Sequence, residues 1–394
     1  MSSPLKFLWF LPTYGDSRYI VGGGHGLPAG VAGGARPATL DYLGQIARSA
    51  EQLGYIGALT PTGAWCEDAF IVDAMLASVT KTFKFLVALR PGLISPTLAA
   101  QMAASFQRYS NGRLLVNIVV GGEPHEQRSY ADFSDKAERY ERADEFLQIV
   151  CALWERPNVN FKGRFYQVEN ATLPSRPDVP PPLYIGGSSA GAGPVTANHI
   201  DVYLTWGEPT PAVAEKIASI RKHAALTGRK VRFGIRLHVI TRDTAEAAWA
   251  EAHRLLAAID PDTIKSVQAG LSRSEGEGQK RMLALHKGST ANLEIEPNLW
   301  AGFGLVRGGA GTALVGSHRE IADKIKAYYA LGIEEFVLSG VPHLEEAYWF
   351  AEGVLPLLRK EGLWSHPQGE IKTSSHHDIP FSPAATRQPV AAAS

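Results

Sequence analysis

Residues 231–240 have the sequence VRFGIRLHVI, an apolar and β-branched run that is typical of a buried strand. Within it, Arg236 and His238 lie two positions apart, and side chains with this spacing point to the same face of a strand. A cation and an imidazole on one buried face are costly unless they are paired or face a ligand. The run therefore predicts a strand that presents an anion-binding pair. The alternative is an arginine that is ion-paired within the structure.

Short apolar runs alternate with helical patterns along the chain. The predicted strands are Phe7–Leu11, Ile56–Leu59, Phe83–Ala88, Leu114–Val120, Leu183–Ile185, Val202–Thr205, Phe233–Ile240 and Glu335–Leu338. The predicted helices are Leu40–Leu53, Glu67–Val79, Thr97–Tyr109, Lys136–Trp154, Ala212–Leu226, Ala245–Ala258, Glu320–Leu331 and Leu344–Leu358. This repetition predicts an α/β fold, a (β/α)8 TIM barrel. A doubly wound sheet is the alternative, but no G-x-G-x-x-G turn follows the first strand.

The pattern predicts one barrel domain over residues 1–362 with two long additions at the carboxyl-end face. The first is the glycine-rich stretch 15–38, which we expect to be mobile. The second is an insertion over 259–313, and long loops in compact domains often serve as lids. Residues 363–394 lack periodicity and predict a flexible tail, or one that extends over a neighbouring subunit.

The composition narrows the class of protein. Of the 394 residues, 45% are hydrophobic and 20% charged, and 39 basic residues balance 39 acidic ones, so no global field favours nucleic acid or an anionic membrane. The sequence contains no run of about twenty apolar residues, so no membrane span is predicted. Two cysteines and the absence of a signal-peptide pattern predict a cytoplasmic protein. The histidines His366, His376 and His377 lack a ligand-like frame with carboxylates, so no metal site is predicted.

Candidate site residues collect where predicted strands end, which is where barrels bind ligands. Cys66 lies at a predicted helix start, where it is either an activated thiolate or a small buried side chain. Gly186-Gly187-Ser188-Ser189 offers amides and hydroxyls to a phosphate, or simply begins a capped helix. Trp206 follows the sixth strand and is either a wall of the pocket or a core aromatic.

Two later segments complete the candidates. Residues 297–312 place five glycines around Arg307, whose planar guanidinium suits a sulfonate, phosphate or carboxylate, unless it is a solvated arginine in a turn. His343 follows the last strand and either reaches the pocket or begins the final helix. The residues alone therefore predict a barrel that binds an anion and a cofactor, without specifying a reaction.

Nine motifs resemble the two-component alkanesulfonate monooxygenases of the bacterial-luciferase-like flavin family, across about residues 5–360. They are WFLPT (9–13), PTG (61–63), CED (66–68), GGSS (186–189), YLTWGEP (203–209), FGIRLHV (233–239), NLWAG (298–302), RGGAGT (307–312) and PHLEE (342–346). The resemblance implies reduced FMN from a separate NAD(P)H-dependent FMN reductase and O2 as co-substrate. It implies cleavage of a carbon–sulfur bond to give sulfite and an aldehyde, by a homo-oligomer (dimer or tetramer).

Matched motif by motif, the resemblance also implies roles for individual residues. The cofactor site would consist of Gly187, Ser188, Ser189, Tyr140 and Cys66, and the catalytic and sulfonate site of Arg236, His238, Arg307, Cys66, Trp206, His343, Tyr14 and Val341. Within this set, Arg236 and Arg307 would neutralise the sulfonate, and His238 would donate a hydrogen bond or transfer a proton.

Three departures from the family pattern lie at the same mouth. Tyr14 stands where the family usually has histidine, Val341 stands where it usually has tyrosine, and residues 22–34 form a longer glycine-rich stretch. They predict a roomier pocket for a larger hydroxylated sulfonate such as sulfoquinovose, with short alkanesulfonates as the other candidates. The alternatives are a sulfone monooxygenase, a deazaflavin-dependent dehydrogenase and a non-catalytic sulfonate-binding protein.

Overall fold

The computed structural model describes residues 4–20 and 34–369, and in it eight parallel strands close into a barrel. In order around the barrel they are β1 (Lys6–Phe10), β2 (Gly57–Thr60), β3 (Lys84–Leu89), β4 (Leu114–Ile118), β7 (Leu183–Gly186), β8 (Val202–Trp206), β9 (Arg232–Arg242) and β13 (Ile333–Ser339), and β13 pairs with β1. Each overlaps a predicted strand, so the predicted (β/α)8 TIM barrel is confirmed.

Helices cover the outside of the barrel. They are α1 (Leu40–Leu53), α2 (Ala69–Leu76), α3 (Pro96–Ser110), α4 (Pro124–Ser129), α5 (Lys136–Glu155), α6 (Ala192–His199), α7 (Thr210–Thr227), α8 (Ala245–Ala257), α11 (His318–Leu331), α12 (His343–Gly353) and α13 (Leu355–Lys360). Local signals set their ends. For example, α1 begins where the side chain of Thr39 accepts a hydrogen bond from Tyr42 N, and it stops at Gly54, which has a φ of 94°.

The antiparallel hairpin of β5 (Val159–Lys162) and β6 (Gln167–Ala171), together with α6, was not predicted. Most residues of the hairpin are exposed, so its sequence lacks the apolar alternation that marks a half-buried strand.

The insertion is an ordered subdomain joined to the barrel through the sheet. It contains α9 (Pro261–Leu271), α10 (Glu277–His286), β10 (Glu294–Glu296), β11 (Leu299–Trp300), a 3-10 turn (Gly302–Leu305) and β12 (Ala313–Ser317). The first half of β9 pairs with β8 and β13 inside the barrel, whereas its second half, 238–242, pairs in parallel with β12. The residues before β12 are therefore held at the carboxyl end of β9.

Both ends of the described chain lie against the barrel. Leu5 N donates a hydrogen bond to Leu363 O, and Trp364 is buried in the main core, within the range that the sequence assigned to a tail. The rest of that predicted tail, 370–394, and most of the glycine-rich stretch, 21–33, lie outside the described residues. Among the residues that are described, no helix is long and apolar enough to cross a bilayer.

Candidate active site

A cavity of about 220 Å³ lies at the carboxyl ends of the barrel strands, beneath the insertion. Of the predicted site residues, eight line it: Tyr140, Gly187, Ser188, Ser189, Trp206, Arg236, His238 and Arg307. The other four, Tyr14, Cys66, Val341 and His343, are not among the lining residues. The structure therefore brings together the predicted phosphate and anion groups at one site.

Two buried arginines, Arg236 and Arg307, line this cavity, with 7% and 5% of their surface exposed. Neither forms a salt bridge with a carboxylate within residues 4–20 and 34–369. Burial and, to a smaller extent, the charge of Arg307 together lower the pKa of Arg236 to about 9. Two uncompensated cations that repel each other across a shared cavity form a site that favours an anion.

His238 is held at both ring nitrogens. Its Nε2 lies 3.1 Å from Ala310 O, and its Nδ1 lies 2.7 Å from Ser339 Oγ, which also accepts a hydrogen bond of 2.9 Å from Arg236 Nη2. Burial and the charges of Arg236 and Arg307 hold the pKa of His238 well below its usual value, so the ring is neutral.

Because a carbonyl only accepts, Nε2 must carry the proton and Nδ1 must accept from Ser339. His238 therefore fixes the backbone near Arg307, and both of its ring nitrogens are already engaged. This arrangement favours a positioning role over the proton-transfer role suggested from the sequence.

Tyr14 positions Arg307. Its hydroxyl accepts a hydrogen bond from Arg307 Nη2, and the guanidinium carbon lies 4.9 Å from the centre of the Tyr14 ring. The ring packs in turn against Trp65, with their centroids 5.1 Å apart. Burial raises the pKa of the phenol, so it remains a neutral acceptor.

Cys66 does not lie at a helix start, and its environment does not favour a thiolate. Helix α2 begins at Ala69 with Asp68 as its N-cap, and burial raises the pKa of the Cys66 thiol to about 12. Its sulfur lies 3.6 Å from Gly63 O and the side chain packs behind Tyr14 and its aromatic neighbours. The activated-thiolate alternative is therefore disfavoured, because desolvation outweighs any helix dipole at this position.

His343 and Val341 are both buried and do not line the cavity. The backbone N of His343 donates to Asp16 Oδ2 at 2.8 Å, and its ring Nδ1 lies 3.0 Å from Asp16 Oδ1. Val341 is 2% exposed and packs in an apolar cluster with Ile240 and Phe303. The expectation that valine at 341 enlarges the pocket therefore has no support in this geometry.

The Gly186–Ser189 turn fits a phosphate. Gly187 has a φ of 135°, and a Cβ on it would lie 3.1 Å from the hydroxyl of Tyr140, so only glycine sits there without strain. The side chain of Ser189 lies close to the hydroxyl of Tyr140, and both residues line the cavity. Helix α6 begins just beyond, and its N-cap residue, Gly191, provides no side-chain hydrogen bond to the first turn. Backbone amides, hydroxyls and a helix N-terminus are the groups that bind the phosphate of a nucleotide cofactor such as FMN.

Comparison with known proteins agrees with the barrel fold and shows the family. The sequence matches the family model for luciferase-like monooxygenases over residues 5–335. The chain belongs to this family. Similar solved structures include a riboflavin lyase with modified FMN and riboflavin (20% identity, TM-score 0.77, covering 92% of this chain and 93% of that one). They also include a long-chain alkane monooxygenase (18%, 0.73, 94% and 94%) and the EDTA monooxygenase of Chelativorans sp. BNC1 (16%, 0.69, 93% and 96%).

In this luciferase-like monooxygenase the insertion forms the roof of the cavity, through residues that sequence reasoning missed. Gln279 Oε1 accepts a hydrogen bond of 2.9 Å from Gly309 N, beside Arg307. Gly278 faces Trp206, where a Cβ would lie 3.0 Å from the indole ring. The sequence gave no sign that these two residues face a ligand site, because they lie on an amphipathic helix and only the folded insertion turns them toward the barrel.

An ion pair between the buried carboxylate of Glu208 and the half-buried Arg281 fixes the insertion to the barrel rim. Glu208, which follows β8, accepts hydrogen bonds from Arg281 Nε at 3.1 Å and Arg281 Nη2 at 2.6 Å. It also forms a salt bridge of 2.5 Å with Lys216 on α7. Glu208 belongs to the YLTWGEP motif but had no predicted role, and the structure shows that it anchors α10.

Proposed function

We propose that the protein is a two-component, flavin-dependent monooxygenase that cleaves the carbon–sulfur bond of an organosulfonate. The observation that supports this most strongly is the pair of buried, uncompensated cations, Arg236 and Arg307, in the cavity of a luciferase-like barrel. A sulfonate is a permanent anion with three acceptor oxygens, so it matches two guanidinium groups that have no carboxylate partner among the described residues.

The overall reaction balances with reduced FMN and O2. The sulfonate carbon gains one oxygen atom and becomes an aldehyde as its bond to sulfur breaks, and bisulfite leaves. The second oxygen atom becomes water with the two electrons and two protons of the reduced flavin. An NAD(P)H-dependent FMN reductase would supply the reduced cofactor, which would activate O2 when bound.

The chain's own residues would bind, orient and exclude water. Ser188, Ser189 and Tyr140 would hold the cofactor phosphate, because they line the cavity just before the start of α6. Arg236 and Arg307 would hold the sulfonate on the opposite side of the cavity. The roof formed by α10 would limit access of water to the reacting groups.

Sulfite release tests the proposal directly. Purified protein would be supplied with a flavin reductase, FMN, NADH and O2, and with a panel from methanesulfonate to sulfoquinovose. Sulfite from any member supports the proposal, and the preferred member identifies the size of the substrate. The Arg236→Met variant should release none while still binding FMN.

The alternatives give different results in the same assay. Turnover of a sulfone without turnover of any sulfonate would indicate a sulfone monooxygenase. Tight binding of a deazaflavin with no reaction of reduced FMN would indicate a dehydrogenase. Binding of a sulfonate without sulfite release under any of these conditions would indicate a binding protein.

A further inference from the structure

A second depression adjoins the cavity at the proposed phosphate site. This outer groove, about 1140 Å³, lies between α5, α6, the β5–β6 hairpin and the first turn of α10. The two spaces share Lys136, Tyr140, Ser188, Ser189 and Glu277 as lining residues. A group bound at Ser188 and Ser189 is therefore approached from α5 on one side and from the insertion on the other.

Two lysines flank this junction. Lys136 is the first residue of α5 and lies one turn before Tyr140, so both side chains lie on one face of the helix. Its Nζ donates a hydrogen bond of 2.7 Å to the carbonyl of Glu275 in the insertion. Lys280 lies in the first turn of α10 and lines the outer groove.

Neither lysine is neutralised within the described part of the chain. No salt bridge joins Lys136 or Lys280 to a carboxylate there, although two carboxylates are near. Glu275 is paired with Arg139 at 3.5 Å, and Glu277 occupies the N-terminal turn of α10. Burial lowers the pKa of Lys136, and the positive charge of Lys280 lowers it more than the charge of Glu277 raises it, so the two ammonium groups repel each other.

We propose that Lys136 and Lys280 form a two-sided clamp on the phosphate of the flavin cofactor, and that phosphate binding thereby holds the insertion closed. The inference rests on the proposed use of FMN. A phosphate monoester carries close to two negative charges at neutral pH, which compensate the two cations. Because Lys136 belongs to the barrel and Lys280 to the insertion, the same anion would bind both and oppose opening.

The clamp predicts that the enzyme distinguishes FMN from riboflavin through these lysines. In the Lys280→Gln and Lys136→Gln variants, we expect the dissociation constant of FMN to rise about tenfold, as for loss of one hydrogen bond to a charged group. The constant for riboflavin, which lacks the phosphate, should change less than about twofold. Lys265→Gln is the matched control, because Lys265 is an exposed lysine of the same insertion that lines neither space. Fluorescence titration of each flavin measures both constants.

Proteolysis provides a readout independent of affinity. Arg273 is exposed in the segment between α9 and α10, but Ser274 on the other side of the bond is buried and donates a hydrogen bond to Glu123. Cleavage after Arg273 by a protease specific for arginine therefore reports release of this segment from the barrel. With each flavin at saturation, FMN should slow cleavage after Arg273 in the wild type several-fold more than riboflavin does. The Lys280→Gln variant should lose this difference, and it retains the cleavage site.

The outcomes separate the two proposals. If the wild type binds neither flavin, the proposed function is wrong and the clamp with it. If the wild type prefers FMN and both lysine variants keep the full preference, the clamp alone is overturned and the serine turn suffices. Loss of preference in the control variant as well would indicate a general effect of surface charge and would also overturn the clamp.

Discussion

Replacing Arg236 with methionine should make the ligand-free protein more stable while it abolishes sulfonate binding. The charged form of Arg236 is disfavoured by burial and by Arg307, which together lower its pKa from 12.5 to about 9. That lowering corresponds to a cost of about 5 kcal/mol for keeping the charge in the folded protein. Methionine has a similar length, is unbranched and fills apolar gaps.

The substitution also removes favourable contacts. Arg236 donates hydrogen bonds to Leu237 O at 2.6 Å and to Ser339 Oγ at 2.9 Å, and its guanidinium lies 4.7 Å from the centre of the Phe10 ring. Two hydrogen bonds and one cation–π contact contribute about 3 kcal/mol in total. We therefore expect the free energy of unfolding to increase by about 2 kcal/mol in Arg236→Met.

Urea denaturation at neutral pH measures this change, and Arg113→Met is the matched control. Arg113 is also buried, but its guanidinium donates to four acceptors, including the carbonyls of Ser110 and Ala77, so its loss should destabilise the protein by about 2–4 kcal/mol. A saturating sulfonate should raise the urea midpoint of the wild type and leave that of Arg236→Met unchanged. If Arg236→Met unfolds as readily as Arg113→Met, Arg236 is a structural arginine and the anion site is misassigned.

Three further substitutions test individual contacts. Tyr14→Phe removes the hydrogen-bond acceptor for Arg307 and keeps the ring. The KM for the sulfonate should therefore rise about tenfold in steady-state assays, while the affinity for FMN stays unchanged. An equal loss of FMN affinity would contradict the assignment of Arg307 to the sulfonate. Cys66→Ala should change the rate of sulfite release by less than about twofold, because a thiol with a pKa near 12 is no nucleophile at neutral pH. Complete loss of turnover in a folded variant would restore a catalytic role for Cys66. Gly187→Ala places a methyl group against Tyr140 on a strained backbone. Titration with FMN should therefore show binding that is weaker by at least about tenfold. Unchanged binding would mean that the phosphate does not bind at this turn.

The barrel could be predicted because its strands are buried on both faces and so appear as continuous apolar runs. The run 233–240 is one such strand, and its alternation correctly placed Arg236 and His238 on one side. The hairpin at 159–171 was missed for the opposite reason, since its exposed residues carry no apolar period. Local sequence thus predicted the barrel strands, whose residues are buried throughout, and missed the exposed hairpin.

The site was only partly predictable, because its contacts join residues far apart in the chain. Ser339 connects Arg236 to His238 across about one hundred positions, and nothing near Ser339 in sequence indicates this. Cys66 carried a local signal for a thiolate, yet tertiary burial has the opposite effect on its pKa. For Val341 the motif gave the position and not the direction of the side chain, which points into an apolar cluster.

The division of β9 between two pairings has a consequence for how the enzyme can change over evolution. The barrel fixes the half of β9 that carries Arg236, and the pairing of 238–242 with β12 fixes the return of the chain six residues after Arg307. Additions or deletions between residues 259 and 300 therefore leave Arg236 in place. Arg307 depends on this segment, because Gln268 donates to the carbonyls of Gly304 and Leu305 and Gln279 accepts from Gly309 N. Where these contacts are kept, the rest of the roof can be exchanged for another sequence, and substrate range altered, without rebuilding the half of the anion site that β9 carries.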